Sequence, residues 1–190
     1  MSIVTLNPIL EGLRGKVGDL VFRHRDNQTV VSRRPAQVHQ PNTPAQLAVR
    51  EKFRQAAAYA KVAFANPAIR AVYAPKAKEK HLPVFALIMA DFFKPPVIDE
   101  VDLSAYTGQT GQVIRVRATD DFEVTGVSVQ MKEPETGEPI DGGNAEKASD
   151  GAWVFTAEST IPHNHPFVIE VTATDRPGNK TVKTQTHTIN

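Results

Sequence analysis

The tripeptide Lys94-Pro95-Pro96 divides this chain by period. Before it, apolar residues recur at helical spacing; after it they recur about every second residue. A helix cannot run through two successive prolines, because proline lacks the backbone N–H and forces the preceding residue out of the helical region. The two sides must therefore belong to different kinds of structure. The expectation is an α+β chain, with a β-hairpin plus helices over 1–95 and an all-β sandwich over 96–190.

Within the first part the strongest element is Asn42–Ala65. Thr43 is placed to cap a helix, Pro44 to take its first position, and Gln46 to reach back from three residues on. Val49, Phe53, Ala56, Ala57, Ala60 and Phe64 then form one apolar stripe, while Arg50, Arg54 and Lys61 fall on another face. Asn66 and Pro67 start a second, shorter helix that should stop near Pro75. A third follows Pro83. It is apolar nearly all round, which predicts burial on several sides, in a core or against another subunit, with Phe92 and Phe93 at its end.

Upstream, Leu20–Arg25 and Gln28–Arg33 read as a β-hairpin turning at Asp26-Asn27. Gly12, Gly15 and Gly18 precede it at a spacing of three and suit turns or close packing. Ser2–Leu10 reads either as a frayed terminus or as an arm adding a strand to a sheet edge, its own or a neighbour's. A lone hairpin is marginal in water, so this one must pack on helices or on another copy.

Net charge is +1, which conceals an asymmetry. Residues 1–95 carry fifteen Lys and Arg against six Asp and Glu, a balance of +9; residues 96–190 carry seven against fifteen, a balance of −8. Such a division marks an interaction surface or, alternatively, two solvated domains of opposite drift. The candidate interaction residues are Arg23, Arg25, Arg33, Arg34, Arg50, Arg54 and Lys61, with the aromatic pair Phe92 and Phe93. Their partner is a polyanion or the acidic half of a second copy.

Beyond Pro96, β-rich runs at Val97–Leu103, Gln112–Ala118, Thr125–Lys132, Ala152–Glu158, Phe167–Thr174 and Thr181–Ile189, with a weaker one near Ala145–Ala148, are separated by turn signals. These signals are Thr107-Gly108, Thr136-Gly137, Asp141-Gly142-Gly143, Asp150-Gly151 and Pro177-Gly178. Seven short strands over such a length fit an immunoglobulin-like sandwich, with Trp153 between its layers.

Two segments carry a resemblance. Ala118-Thr-Asp-Asp-Phe122, Val124-Thr-Gly-Val-Ser-Val129, Gly151-Ala-Trp153, Val171-Thr-Ala-Thr-Asp175 and Gly178-Asn179 resemble, in order and spacing, the immunoglobulin-like modules of bacterial surface and virion proteins. That resemblance implies a structural or adhesive module. Gly12, Gly15, Val17, Gly18, Arg33, Pro35, Asn42–Gln46, Arg50 and Phe53 are similar to an uncharacterised bacterial family. It covers about fifty residues and implies a shared fold without an activity.

No catalytic constellation stands out. Gly12–Gly18 lacks the spacing and the Ser/Thr of a phosphate-binding loop. His163-Asn164-His165 lies between prolines without a metal-ligand pattern around it, and no serine sits in a nucleophile elbow. The chain has no cysteine, so disulfides and thiolate chemistry are excluded. One acidic group has a geometric case. In an immunoglobulin-like strand order Asp120, Asp121 and Glu123 share an end of the sandwich with Asp175, where four carboxylates suit Ca²⁺ or, alternatively, make local Asx turns.

The expected function is therefore non-enzymatic. The first reading is a structural subunit that self-assembles, as a homo-oligomer or polymer, into a fibre or into a phage-like or other large particle. The alternatives are a nucleic-acid-binding accessory using the basic half and an adhesin-like binding module. The apolar run ending at Phe93 is too short to span a bilayer. The first sixteen residues lack the head, core and cleavage site of a secretory signal. This predicts a chain cytoplasmic as made and released, if at all, within an assembly.

Overall fold

A computed structural model describes residues 2–3, 14–25, 28–34 and 42–189, with the side chains at 2, 3, 24, 25 and 28 excepted. The chain divides into two compact units, Met1–Leu47 and Ala48–Asn190.

The first unit is a four-stranded antiparallel sheet. Its strands are β1 (Ser2–Ile3), β2 (Gly15–Val17), β3 (Leu20–Arg25) and β4 (Gln28–Arg33), in the order β1-β4-β3-β2. The β3–β4 hairpin has the bounds that the sequence predicts; its turn at Asp26-Asn27 lies outside the described residues. Val17 pairs with Leu20, so β2 and β3 join through Gly18-Asp19, where Gly18 takes a φ of 58° that glycine adopts without strain. Ser2 and Ile3 pair with Val31 and Val30 of the chain's own hairpin, so this part of the N-terminal arm is used within the chain. The remainder of the predicted arm, and Gly12, lie outside the described residues. Among the described residues this sheet buries Thr29 and no large apolar side chain.

Helix α1 (Pro44–Ala65) begins as read from sequence. The Thr43 N–H donates to Gln46 Oε1 at 3.0 Å and the Gln46 N–H to Thr43 Oγ1 at 3.3 Å, a reciprocal capping box. Thr43→Ala with Gln46→Ala should cost about 1 kcal/mol. Because the first turns are exposed, this loss should appear as fraying. Amide hydrogen exchange at Leu47 and Val49 should quicken about fivefold, and unchanged rates would show that the cap does not hold the helix start.

Helix α2 (Pro67–Glu79) is capped by Asn66, whose Oδ1 accepts the Ala68 and Ile69 N–H groups at 3.0 and 3.4 Å. It continues through Pro75, past the predicted stop. Proline in a helix interior costs about 3 kcal/mol, but the turns on either side are anchored by the buried side chains of Tyr73 and Ala77. Helix α3 (Val84–Phe93) buries Leu87, Ile88 and Asp91, while Phe85 is exposed and Phe92 and Phe93 are half-buried. It is therefore covered on one side, not all round.

The remaining strands are β5 (Val97–Asp102), β6 (Val113–Thr119), β7 (Val124–Lys132), β8 (Pro139–Lys147), β9 (Trp153–Thr156), β10 (Pro166–Asp175) and β11 (Lys180–Thr188). All pair antiparallel, in the order β11-β10-β7-β8-β9-β6-β5. The sheet folds over one core that includes Ile114, Val116, Val129, Met131, Trp153, Phe155, Phe167, Ile169 and Val171. Its two edges approach where Lys183 Nζ donates to the Asp99 carbonyl at 3.2 Å and Thr181 Oγ1 to that of Pro96.

The largest departure from the sequence reading in this region is β8. Asp141-Gly142-Gly143 is strand and not turn. A Cβ at Gly142 would stand 2.9 Å from the Val129 carbonyl oxygen and one at Gly143 would stand 3.3 Å from the Phe155 ring. These glycines therefore permit close approach within a strand.

The change of period at Lys94–Pro96 coincides with the passage from α3 to β5. The compact units divide after Leu47, so α1 from Ala48 onward, α2 and α3 lie in the second unit with the sheet. Within the second unit Phe122, in the β6–β7 turn, packs against the apolar cluster of Ala60, Ala63, Tyr73, Ala77, Leu87 and Ile88.

Candidate functional site

The junction between helices and sheet is built on Tyr73. Its ring stacks on Phe122 at a centroid distance of 4.0 Å and an interplanar angle of 19°. Its hydroxyl donates to Asp91 Oδ2 at 2.5 Å, and both residues are buried. Asp91 is 2% exposed, and its other oxygen, Oδ1, has no hydrogen-bond partner. Burial pushes the Asp91 carboxyl up to about 6, partly offset by the Tyr73 hydrogen bond; Asp120 and Asp175 act as like charges and Arg176 opposes them. Tyr59, whose ring lies 5.7 Å from that of Phe92, is raised chiefly by burial. Asp91 has no sequence signal pointing to it, since an acid inside an apolar helix ordinarily marks the solvent face.

The four carboxylates expected to hold Ca²⁺ are each engaged by a different protein donor. Asp120 Oδ2 accepts the Phe122 and Glu123 N–H groups, both at 2.8 Å, which is the Asx-turn arrangement. Asp121 pairs with Lys94, which holds its carboxyl below the usual range, and Glu123 pairs with Arg176. Asp175 accepts from the Asn179 backbone N–H and side-chain amide at 2.6 and 2.7 Å, and burial raises it. Among the described residues no group of three or more His, Cys, Asp or Glu is arranged to hold a metal ion. The arrangement serves to fasten the turns: the Lys76 ammonium donates to the Asp121 carbonyl, and Asn179 Nδ2 to that of Phe92 at 3.2 Å.

The basic residues fall into separate groups. In the first unit Arg23, Arg33 and Arg34 are exposed. The register pairs Arg23 with Val30, Arg25 with Gln28 and Arg33 with Leu20. Because side chains alternate, Arg23 and Arg33 lie on opposite faces of the sheet. The hairpin therefore does not gather its arginines into one basic ribbon.

On α1, Arg50, Arg54 and Lys61 are exposed. Arg54 grips Glu51 through two hydrogen bonds of 2.7 and 2.9 Å, which raises the guanidinium and lowers the carboxyl. The apolar stripe of this helix is covered only in part. Ala56, Ala60 and Ala63 are buried, yet Phe53 and Val49, one and two turns upstream on the same face, are 56% and 69% exposed. Phe53 stacks on Phe93 at 6.2 Å and 30°, with Lys52 Nζ 5.8 Å from the Phe93 ring centroid. Phe92 and Phe93 thus separate in role. Phe92 faces Tyr59, and Phe93 continues the apolar strip of α1.

The far end of the strands is acidic. β7 leaves the helices at Val124 and ends at Lys132, roughly 26 Å away at the usual rise per residue. The β7–β8 hairpin loop there carries Glu133, Glu135 and Glu138, the last two exposed. His165 Nε2 bonds Glu133 Oε1 at 2.8 Å, and Asn164 donates its N–H to the Ile189 carbonyl, so the His-Asn-His segment is a loop fastened to this end.

No family model and no curated protein matches the chain. Among solved structures, CopC from Methylosinus trichosporium OB3b is similar over 50% of this chain and 93% of its own, at 13% identity and a TM-score of 0.37. An engineered protein is similar over 49% of this chain and 20% of its own, at 22% identity and a TM-score of 0.36. No helix among the described residues is long and apolar enough to cross a membrane.

Proposed function

We propose that this protein is a non-enzymatic structural subunit whose copies associate, through an immunoglobulin-like C-terminal module and the basic helices, into a fibre or into part of a larger, phage-like particle. The observation that carries this reading is the apolar stripe of α1, which continues past its covered half onto exposed Val49 and Phe53 beside Phe93. Contiguous exposed aromatic and aliphatic surface of this kind marks an interaction site. Two features favour a protein partner over nucleic acid. Arg54 is already engaged by Glu51, and the arginines of the hairpin are split between two faces of its sheet.

The test is sedimentation velocity over a concentration series at low and high salt. Association that strengthens with concentration and slows with salt is expected, because apolar contact supplies affinity while exposed charges mainly steer encounter. A protein that stays monomeric throughout, and instead shifts duplex DNA at low salt, would replace this reading with the nucleic-acid one.

A further inference from the structure

We propose that the uncovered half of α1 docks the acidic β7–β8 hairpin of a second copy of this chain, so that copies join head to tail. This rests on the self-assembly reading above and names the two surfaces that meet.

The helix side presents Val49 and Phe53 flanked by Arg50, Lys52 and Arg54, with Glu51 as the acid among them and held by Arg54. A second α1 laid on this face would bring like charge against like charge, so the surface disfavours pairing with itself. It calls for an acidic occupant with apolar surface of its own. The β7–β8 hairpin offers both. Glu135 and Glu138 are exposed at its tip, Glu133 stands at its base, and Pro134 and Pro139 flank the acids with exposed apolar rings suited to Phe53.

The two surfaces belong to one compact unit and cannot satisfy each other within a copy. The helices meet the sheet at the turn holding Phe122, whereas the hairpin lies at the other end of β7. A contact between different patches at opposite ends does not close on itself unless a rotation brings the copies into a ring, and otherwise extends as a filament. Residues 48–95 carry nine Lys and Arg against three Asp and Glu, so the helical end as a whole is positive and sets the direction of approach.

The experiment uses two charge-reversed full-length variants. One is Arg50→Glu with Arg54→Glu; the other is Glu135→Lys with Glu138→Lys. All four positions are exposed, and a thermal melt of each variant is the check that it is folded. Each variant alone should need about tenfold or more protein for half-association than the wild type. An equimolar mixture should recover wild-type association, since each reversed surface then finds its complement, and so should the chain with all four changes.

Variants that associate as the wild type does, or a mixture that stays dissociated while the wild type assembles, would overturn the docking proposal and leave self-assembly standing. A wild type that never associates would overturn both. Anionic vesicles that bind the wild type and not the helix variant, without self-association, would assign the helix face to a membrane surface instead.

Discussion

At pH 7.5, Asp91→Asn should raise the unfolding free energy by about 1–3 kcal/mol over the wild type. In the folded chain the Asp91 carboxyl titrates at about 6 against an ordinary value of 3.8, chiefly because it is buried. The native state therefore keeps this proton through a range in which the unfolded chain has already lost it. Stability from this group is fully present below about pH 4, falls as pH rises through 4–6, and is absent above. A neutral amide removes the dependence. It can still accept from the Tyr73 hydroxyl. The measurement is urea unfolding of both proteins from pH 4 to 8. The difference between them should shrink to near zero at the acid end. A constant offset would mean that packing, and not ionisation, separates them.

That prediction rests on a residue that the sequence conceals. Val84–Phe93 reads as apolar nearly all round, and its one acid falls where solvent would be expected. In the structure Asp91 is buried and Phe85 is exposed. Period and composition say which residues are apolar, but they do not say which side of a short helix its neighbours cover. The same limit applies to α1. Its capping box and its stripe are both legible, because a cap needs local residues and a stripe needs only spacing. That Ala56 is buried while Phe53 is exposed is set by the neighbours of the helix and not by its spacing. Gly142-Gly143 misleads for a related reason. Glycine signals a turn when the chain is read locally, and here it serves a contact with Val129 and Phe155 that only the folded sheet creates. For the four junction acids, the residues are legible but their partners are not, since Lys94 and Arg176 lie far from Asp121 and Glu123 in sequence. The change of period at Pro96 correctly separates helix from strand. One aromatic side chain in a turn, Phe122, packs across that line.

Phe122→Ala should show how firmly that crossing joins helices to sheet. In the full chain we expect a loss of about 2–4 kcal/mol, since a large aromatic leaves a mostly apolar site and Tyr73 loses its stacked partner. The Lys76 ammonium, 5.3 Å from the Phe122 ring centroid, loses a smaller cation–π contribution of about 0.5–1 kcal/mol. In a fragment spanning 97–190 the same substitution should change stability by less than about 0.5 kcal/mol, because a side chain without its burying partners behaves as a surface residue. The fragment keeps every residue of the sheet core from Ile98 to Ile189, so it should retain a cooperative transition of its own. Chemical unfolding of four proteins, full chain and fragment with and without the substitution, closes the cycle. The difference between the two losses is the coupling of Phe122 to the helices. Equal losses would mean that Phe122 acts through the β6–β7 turn alone. The helices and the sheet would then be joined by the polar contacts of Lys76, Lys94 and Asn179 and not by the aromatic stack.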